Sequence, residues 1–317
     1  MSLILSVETS CDDTSIAIFE NEKLLTQFTL SSVLEQRKYG GVVPEVASRE
    51  HLNSIHKCLI NCLNKINISI FDINYIIYTE YPGLPGSLHI GILFAKMLAN
   101  LINKKAIGIN HLCGHIFSAF INSNKEEITY PFLSLVVSGG NSIIYKVDSP
   151  VKYSILNNTV DDAIGEVYDK VARALNWSYP GGPIIDKNYN ETKSTISFIK
   201  KWPEQSTSFS FSGLKTAVLN YINTKKMKNE VIDEIEIASS FQKTAIELII
   251  DKLQFYKSVY NINCLVLGGG VSANNLLRQS CKKITNKLYI PEIKYTGDNA
   301  AMIGYYGYLL LAYNNKN

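Results

Sequence analysis

His111-Leu112-Cys113-Gly114-His115 sets two imidazoles four residues apart. On a helix that spacing puts both rings on one face, within reach of a single metal ion. The alternative is a pair of partly exposed histidines at a helix start. The chain has only five histidines, so two are spent in one turn. A metal needs a third ligand, and Asp298, after Thr296-Gly297 and at the head of the last helical stretch, is the best candidate. A carboxylate at a helix N-terminus stays ionised, although a plain N-cap aspartate would look the same. Leu112 stands where an H-E-x-x-H peptidase carries its general-base glutamate, so the motif brings no base for peptide hydrolysis. Cys113 falls on the other side of the helix and reads as structural.

Small-residue turns form a second group. Val137-Ser138-Gly139-Gly140-Asn141-Ser142 and Glu8-Thr9-Ser10-Cys11-Asp12-Asp13-Thr14 each link two strand-like runs. Such turns expose backbone N–H groups that suit phosphate oxygens. Either alone could be an ordinary hairpin, but their recurrence at matching positions favours a phosphate or nucleotide ligand. Gly268-Gly269-Gly270-Val271-Ser272-Ala273-Asn274 follows the strand-like Leu265-Val266-Leu267 and opens a helix, with Asn274 near the cap. It matches neither the dinucleotide fingerprint nor a P-loop. Asp162, Glu166 and Asp169 fall at helical steps and would share a face beside Tyr179-Pro180-Gly181-Gly182-Pro183 and Asp186. They form either a solvated face or a pocket accepting hydrogen bonds from ribose or substrate hydroxyls. The chain contains no G-x-S-x-G elbow and no C-x-x-C pair.

These groups must be carried by a framework, and the hydrophobic pattern supplies one. Strands are predicted over Leu3–Val7, Ser15–Phe19 and Leu24–Leu30, then a helix over Pro44–Leu63, a strand over Tyr75–Tyr78, a helix over Ser87–Ile102 and a strand over Ala106–Ile109. The order then restarts with strands Phe132–Val137, Ser142–Val147 and Lys152–Leu156 and a helix over Asp162–Leu175. A Pro/Gly/Ser-rich insertion runs from Tyr179 to Ser212. A helix over Ile235–Phe255, a strand over Cys264–Leu267, a helix over Asn274–Ile284 and a final helix from Asp298 complete the second half. Repetition of hairpins followed by helix–strand crossovers implies a duplicated α/β fold with mixed sheets flanked by helices.

Composition limits the function classes. The 317 residues are 46% hydrophobic and 19% charged, enough for a sizeable core and against disorder. A net charge of +3 does not announce a nucleic-acid binder, so any such contact must rest on local patches such as Lys225-Lys226 with Lys228, or Lys282-Lys283, or on partner subunits. No run reaches the ~18 apolar residues of a membrane span. The N-terminus lacks the basic region of a secretory signal. Six cysteines without framework spacing fit a reducing compartment, so a cytoplasmic protein with no membrane contact is expected.

The motifs resemble, in order and over nearly the whole chain, those of the TsaD family within the actin/Hsp70/sugar-kinase superfold. The resemblance is carried by Glu8 to Thr14, Tyr39 to Arg49, Asn110 to His115, Val137 to Gly140, Asp161-Asp162 with Gly165-Glu166, Tyr168 to Lys170, Tyr179 to Pro183, Phe209 to Thr216, Gly269 to Asn274 and Asp298 to Ile303. It implies two duplicated actin-like (ASKHA) lobes with a nucleotide/metal cleft between them. Residues 1–125, completed by a C-terminal helix over 298–317, would form one lobe, and 126–297, with an insertion at about 179–212, the other.

The resemblance also implies an activity. Such enzymes transfer a threonylcarbamoyl group from threonylcarbamoyl-adenylate to N6 of adenosine 37 in tRNAs reading ANN codons, releasing AMP. By motif, His111, His115 and Asp298 would hold one divalent metal ion, iron(II) first and zinc(II) as the alternative. Val136, Val137, Ser138, Gly139, Gly140, Asp169, Gly182, Asp186 and Asn274 would bind the adenylate, and Asp12 would be catalytic. In a bacterial system the implied partners are tRNA, a shorter non-catalytic paralogue and a small ATPase (TsaB- and TsaE-like). Tyr81-Pro82-Gly83-Leu84, after Glu80, replaces the family's usual Gly-Pro-Gly-Leu; Cys113 replaces a glutamate, Asn141 a histidine, and Gly297 enters the usual Thr-Asp-Asn run. A phosphotransferase of the same superfold is the competing enzyme, needing Mg-ATP rather than a His/His/Asp site. A non-catalytic paralogue, which lacks the three ligands, is the other competitor.

Overall fold

The computed structural model describes residues 2–122, 128–199 and 208–314. The chain divides into two compact units, Met1–Ile128 with Pro291–Asn317, and Thr129–Ile290.

The first unit opens with three strands, β1 (Leu3–Glu8), β2 (Asp13–Glu20) and β3 (Lys23–Ser31). A short α1 (Val33–Arg37) and the long α2 (Pro44–Ile66) follow, then β4 (Tyr75–Tyr81), α3 (Pro85–Leu101), β5 (Lys105–Asn110) and α4 (His111–Phe117). Strand order is β3-β2-β1-β4-β5. The first three strands run antiparallel, whereas β4 pairs parallel with β1 and β5. β1 is covered on both faces, which explains why it is apolar at Leu3, Ile4, Leu5 and Val7 instead of alternating with polar residues. Leu5, Val7, Ile76 and Tyr78 pack against Ile55, Cys58 and Cys62 of α2 and Ala95 and Ala99 of α3.

The second unit repeats the plan. Strands β6 (Phe132–Val137), β7 (Ser142–Ser149) and β8 (Lys152–Asn158) lead to α5 (Ile164–Ala174), α6 (Gly181–Lys187), α7 (Ser212–Met227), α8 (Glu234–Tyr260), β9 (Cys264–Gly268), α9 (Asn275–Ile284) and β10 (Lys287–Tyr289). Its order, β10-β9-β6-β7-β8, is the first sheet's order read from the other edge. Leu133, Leu135 and Val137 pack with Ile164, Val167 and Val171 of α5 and Phe241, Ala245 and Ile249 of α8.

The chain then returns to the first unit through α10 (Ala300–Asn314). Two glycines let this helix lie close to the sheet. A Cβ on Gly304 would stand 2.7 Å from Ser6 Oγ, and one on Gly307 would stand 2.8 Å from Ile77 Cγ1.

Three expectations are corrected. The last helix begins at Ala300, not Asp298, because Asn299 Oδ1 accepts the Met302 amide at 3.0 Å and takes the capping role. The helix expected from Asp162 begins at Ile164 and leaves Asp162 outside it. Helix α7 stands where no helix was expected; it buries only Leu214, Val218 and Ile222, so its periodicity is thin among lysines, threonines and asparagines. Part of the expected insertion, residues 200–207, lies outside the described residues. No helix among the described residues is long and apolar enough to cross a membrane.

Candidate metal centre and ligand loops

Asn110 ends β5 and caps α4. Its Oδ1 accepts the amides of Leu112 at 2.8 Å and Cys113 at 3.3 Å, so the helix starts on the first histidine. Every residue of α4 is buried, Cys113 included. α4 lies close to α10 because Gly114 has no side chain; a Cβ there would meet Ile303 Cδ1 at 3.0 Å. The turn carrying Asp298 is fixed in turn, since Ala300 N donates to Ser15 Oγ and Ala301 N to Gln27 Oε1, each at 2.9 Å.

The two ends of the first unit therefore converge. His115 Nε2 lies 3.1 Å and His111 Nε2 3.4 Å from the same oxygen, Asp298 Oδ1. The rings stand edge to face with centroids 4.7 Å apart. One donor atom from each of the three residues lies within 4.8 Å of the others. Donors bound to one ion at about 2.1 Å, at tetrahedral or octahedral angles, lie about 3.0–3.4 Å apart, so two of the three pairs already have that spacing. Two imidazoles and a carboxylate suit iron(II) or zinc(II).

Behind His111 stands Glu8, fully buried at the end of β1. Its Oε2 lies 3.1 Å from His111 Nδ1 and also accepts the Thr79 hydroxyl, while Oε1 accepts the Ser10 amide. A carboxylate on the far nitrogen fixes the ring and turns Nε2 toward the ligand position. Burial pushes the Glu8 carboxyl up, but His111 outweighs it and leaves it below its usual range. Burial works against a charge on His111 too, yet Glu8 and Asp298 raise its pKa to about 10. Burial holds His115 below the ordinary imidazole value. Asp298 stays ionised because the two imidazoles overcome its burial.

Asp12 is the last residue of the β1–β2 connection, directly before β2. Burial, then Asp298, holds its carboxyl above the ordinary range.

In the second unit, Val136 and Val137 are buried in β6. Gly269, with φ +84°, approaches so closely that a Cβ would stand 2.3 Å from the Val137 carbonyl oxygen. The hairpin closes on itself, with Ser138 N donating to Asn141 O at 2.8 Å and Asn141 N to Ser138 Oγ at 3.1 Å. Gly139 and Gly140 are exposed, and a Cβ on either would meet nothing within 4 Å. Asp169 Oδ1 accepts the Gly181 amide at 2.7 Å and so closes the start of α6; burial raises its carboxyl pKa. A Cβ on Gly182 would meet only Tyr168 Cβ, at 3.9 Å.

Asp186 and Asn274 meet through Gln242. Gln242 Nε2 donates to Asp186 Oδ1 at 3.1 Å, and Asn274 Nδ2 donates to Gln242 Oε1 at 2.9 Å. Asn274 Oδ1 caps α9 by accepting the Leu277 amide at 2.9 Å. Asp186 also accepts both the amide and the side chain of Asn275. The wider acidic face is not formed. Asp162 is paired to Lys170 and Lys215, and Glu166 to Lys170 at 2.7 Å. Sequence reasoning missed Gln242, and it took Glu8 only as part of an acidic turn. A glutamate closing a short, mostly apolar strand, Leu3-Ile4-Leu5-Ser6-Val7, was the available signal for the second.

The TsaD family model, described as tRNA N6-adenosine threonylcarbamoyltransferase, matches residues 23–305. The chain belongs to the TsaD family. It is 54% identical over 315 residues to the tRNA N6-adenosine threonylcarbamoyltransferase of Ureaplasma parvum serovar 3, covering 99% of this chain and 97% of that one. It is 46% identical to the enzyme of the same name from Malacoplasma penetrans, covering 99% of each. Among solved structures, T. kodakarensis HypF matches 98% of this chain and 48% of its own with TM-score 0.64 at 14% identity. Component A of the Acidaminococcus fermentans (R)-2-hydroxyglutaryl-CoA dehydratase matches 98% of this chain and 100% of its own with TM-score 0.56 at 13% identity. These likenesses concern the fold, an α/β ASKHA-type architecture of two mixed five-stranded sheets flanked by helices. Family membership supports a transferase that modifies tRNA at the N6 atom of adenosine.

Proposed function

We propose that this TsaD-family protein transfers the threonylcarbamoyl group from threonylcarbamoyl-adenylate to N6 of adenosine 37 in tRNAs reading ANN codons, releasing AMP. The observation that carries this reading is the convergence of His111 Nε2, His115 Nε2 and Asp298 Oδ1, with Glu8 behind His111. These three residues would hold one iron(II) or zinc(II) ion; when bound, such an ion supplies Lewis-acid polarisation of a carbonyl or phosphoryl oxygen. Glu8 and Thr79 keep the His111 ring oriented, and burial keeps competing water from the imidazoles.

In the second unit, the Gly139 and Gly140 amides are the proposed donors to the adenylate phosphate, with Val136, Val137 and Ser138 shaping the turn. Gly182, on α6, is open for contact, and Asp169 holds the start of that helix. Asp186 and Asn274, linked by Gln242, form the proposed ribose and base support. Asp12 is the proposed catalytic residue. In the reaction the adenosine amine forms a bond to the carbamoyl carbon, the carbon–oxygen bond to phosphate breaks, and the amine loses one proton. Positioning the amine against that carbon is the main remaining requirement. We place the reaction in the cytoplasm, with a shorter paralogue and a small ATPase as partners.

The test supplies threonylcarbamoyl-adenylate and an ANN-decoding tRNA to the metal-loaded protein with its partners, and looks for modified adenosine by nucleoside mass spectrometry. Modified adenosine is expected, and its absence would overturn the reading.

A further inference from the structure

Helix α2 buries a stripe, Ala47, His51, Ile55, Cys58 and Cys62, at three- and four-residue steps. Four of these are small or apolar and pack into the core or line it. The fifth is a fully buried imidazole, and both of its ring nitrogens are used. His51 Nε2 lies 2.9 Å from the Cys11 carbonyl oxygen, and Nδ1 lies 2.8 Å from Thr14 Oγ1. A carbonyl only accepts, so Nε2 carries a proton; burial holds the ring below the ordinary imidazole pKa and so disfavours a second one, which leaves Nδ1 to accept from the Thr14 hydroxyl. The ring is thus a neutral imidazole with a defined tautomer.

What it holds is the backbone around Asp12. The Cys11 carbonyl belongs to the same rigid peptide plane as the Asp12 amide. His51 Nε2 and Ser87 Oγ, at 3.1 Å, both donate to that carbonyl. The plane after Asp12 is pinned as well, because its carbonyl accepts Ser32 N at 3.1 Å and Ser32 Oγ at 2.8 Å. One plane earlier, the Ser10 carbonyl accepts Leu84 N at 2.7 Å. With the planes on both sides of its Cα fixed, Asp12 keeps only its side-chain rotations. Deleting the His51 donor leaves that plane to the longer Ser87 bond alone and loosens the backbone at the single residue proposed to be catalytic.

We infer that His51 is a positioning residue for the transfer reaction, which acts through the Cys11 carbonyl to hold Asp12 in register with the first unit's His/His/Asp centre. This rests on the proposed function, since it takes Asp12 as the residue to be positioned. A group displaced by about 1 Å from its working geometry can lose on the order of 10²-fold in rate. A core residue that only filled space would change stability and leave turnover per folded molecule alone.

The experiment compares His51→Ala, His51→Gln and Thr14→Val with the unaltered full-length protein, metal-loaded and assayed with the adenylate and an ANN-decoding tRNA. For His51→Ala, kcat per folded molecule is expected to fall more than tenfold, with KM for the adenylate and bound metal per chain unchanged. His51→Gln keeps an N–H for the Cys11 carbonyl and is expected to recover most of that loss. A fall of less than tenfold in His51→Ala, a glutamine variant no better than alanine, or a matching loss of metal would each overturn the inference. If His51→Ala does not fold, Thr14→Val decides; it removes the hydroxyl that fixes the tautomer and must lower kcat, and an unchanged kcat overturns the inference. Imidazole 15N shifts of the unaltered protein give a readout independent of turnover. They must show His51 protonated at Nε2 alone; a proton on Nδ1 would overturn the inference even if no modified adenosine formed. Failure of the unaltered protein to modify tRNA, with the expected tautomer present, counts instead against the proposed function.

Discussion

The hairpin after β1 and the hairpin after β6 occupy the same place in a repeated sheet, yet they are built for opposite tasks. In the first, the carbonyls of Ser10, Cys11 and Asp12 all accept hydrogen bonds from other segments, and the product is a held carboxylate. In the second, Ser138 and Asn141 close the turn between themselves and leave two glycines facing water. Even the supporting glycines correspond. Gly83 follows β4 and would set a Cβ 2.6 Å from the Ser10 carbonyl; Gly269 follows β9 and would set one 2.3 Å from the Val137 carbonyl. Topology fixes where a turn meets a glycine of the neighbouring crossover. Side chains then decide whether that turn presents acids or amides.

The largest test of this contrast removes the first unit's chemistry while leaving the second unit intact. His115→Ala or Asp298→Ala is expected to cost on the order of 10³-fold in tRNA modification and to strip the metal. AMP binding measured by calorimetry should stay unchanged; a parallel loss of AMP affinity would show that the division of labour is wrong. Next in size is Gly269→Ala, which puts a side chain at positive φ against a carbonyl. It should destabilise the protein by about 2–4 kcal/mol in denaturant titration, whereas Gly139→Ala, with open space around it, should change stability by less than about 0.5 kcal/mol.

Smaller again is the effect of ligand on amide exchange. AMP is expected to slow exchange of the Gly139 and Gly140 amides by about tenfold and to leave those of the first hairpin unaffected. Mass spectrometry or NMR of exchanged protein reads both together.

The smallest difference is in pH dependence of the metal-free protein. His111 has a folded pKa raised to about 10, so its contribution is complete below 6.5 and is lost as pH rises from there toward 10. Asp162 has a depressed folded pKa, because two lysines and Ser212 outweigh its burial, so its contribution is present above 3.8 and is lost as pH falls below that. Denaturation midpoints across pH should therefore show the alkaline loss removed by His111→Ala and the acid loss removed by Asp162→Asn.

Much of this contrast was legible in the sequence, wherever the signal was local. The apolar run Phe132–Val137 reads as the strand it is, and the four-residue spacing of His111 and His115 suffices to place both rings on one helix face. Asp298 could be proposed because it stands alone as an acid just before a long apolar stretch, although the helix itself starts two residues later at Ala300. Long-range partners were not legible. Glu8 and His111 are 103 residues apart, and nothing local says that a buried carboxylate will stand behind that ring. Asp162 reads as one member of an acidic face because one of the two lysines that neutralise it, Lys215, comes 53 residues later. Asn274 reads as a cap, which it is, but its second bond goes to Gln242, 32 residues away. His51 hides inside an apolar stripe whose period is that of any amphipathic helix.

The return of α10 to the first sheet has a consequence for how the chain is made. Ser6 donates to the Ala300 carbonyl across 294 residues, and His115 waits 183 residues for Asp298. A ribosome delivers β1 first and α10 last, so the whole second unit is synthesised while Phe19, Ile77 and both imidazoles lack their cover. During that interval the nascent chain exposes an apolar sheet face to the cell and offers two nitrogen donors without their carboxylate. Assembly of the His/His/Asp cluster is thereby deferred to the end of translation, and a message truncated anywhere before Asp298 yields a product that lacks both the helix covering its first sheet and the cluster's carboxylate.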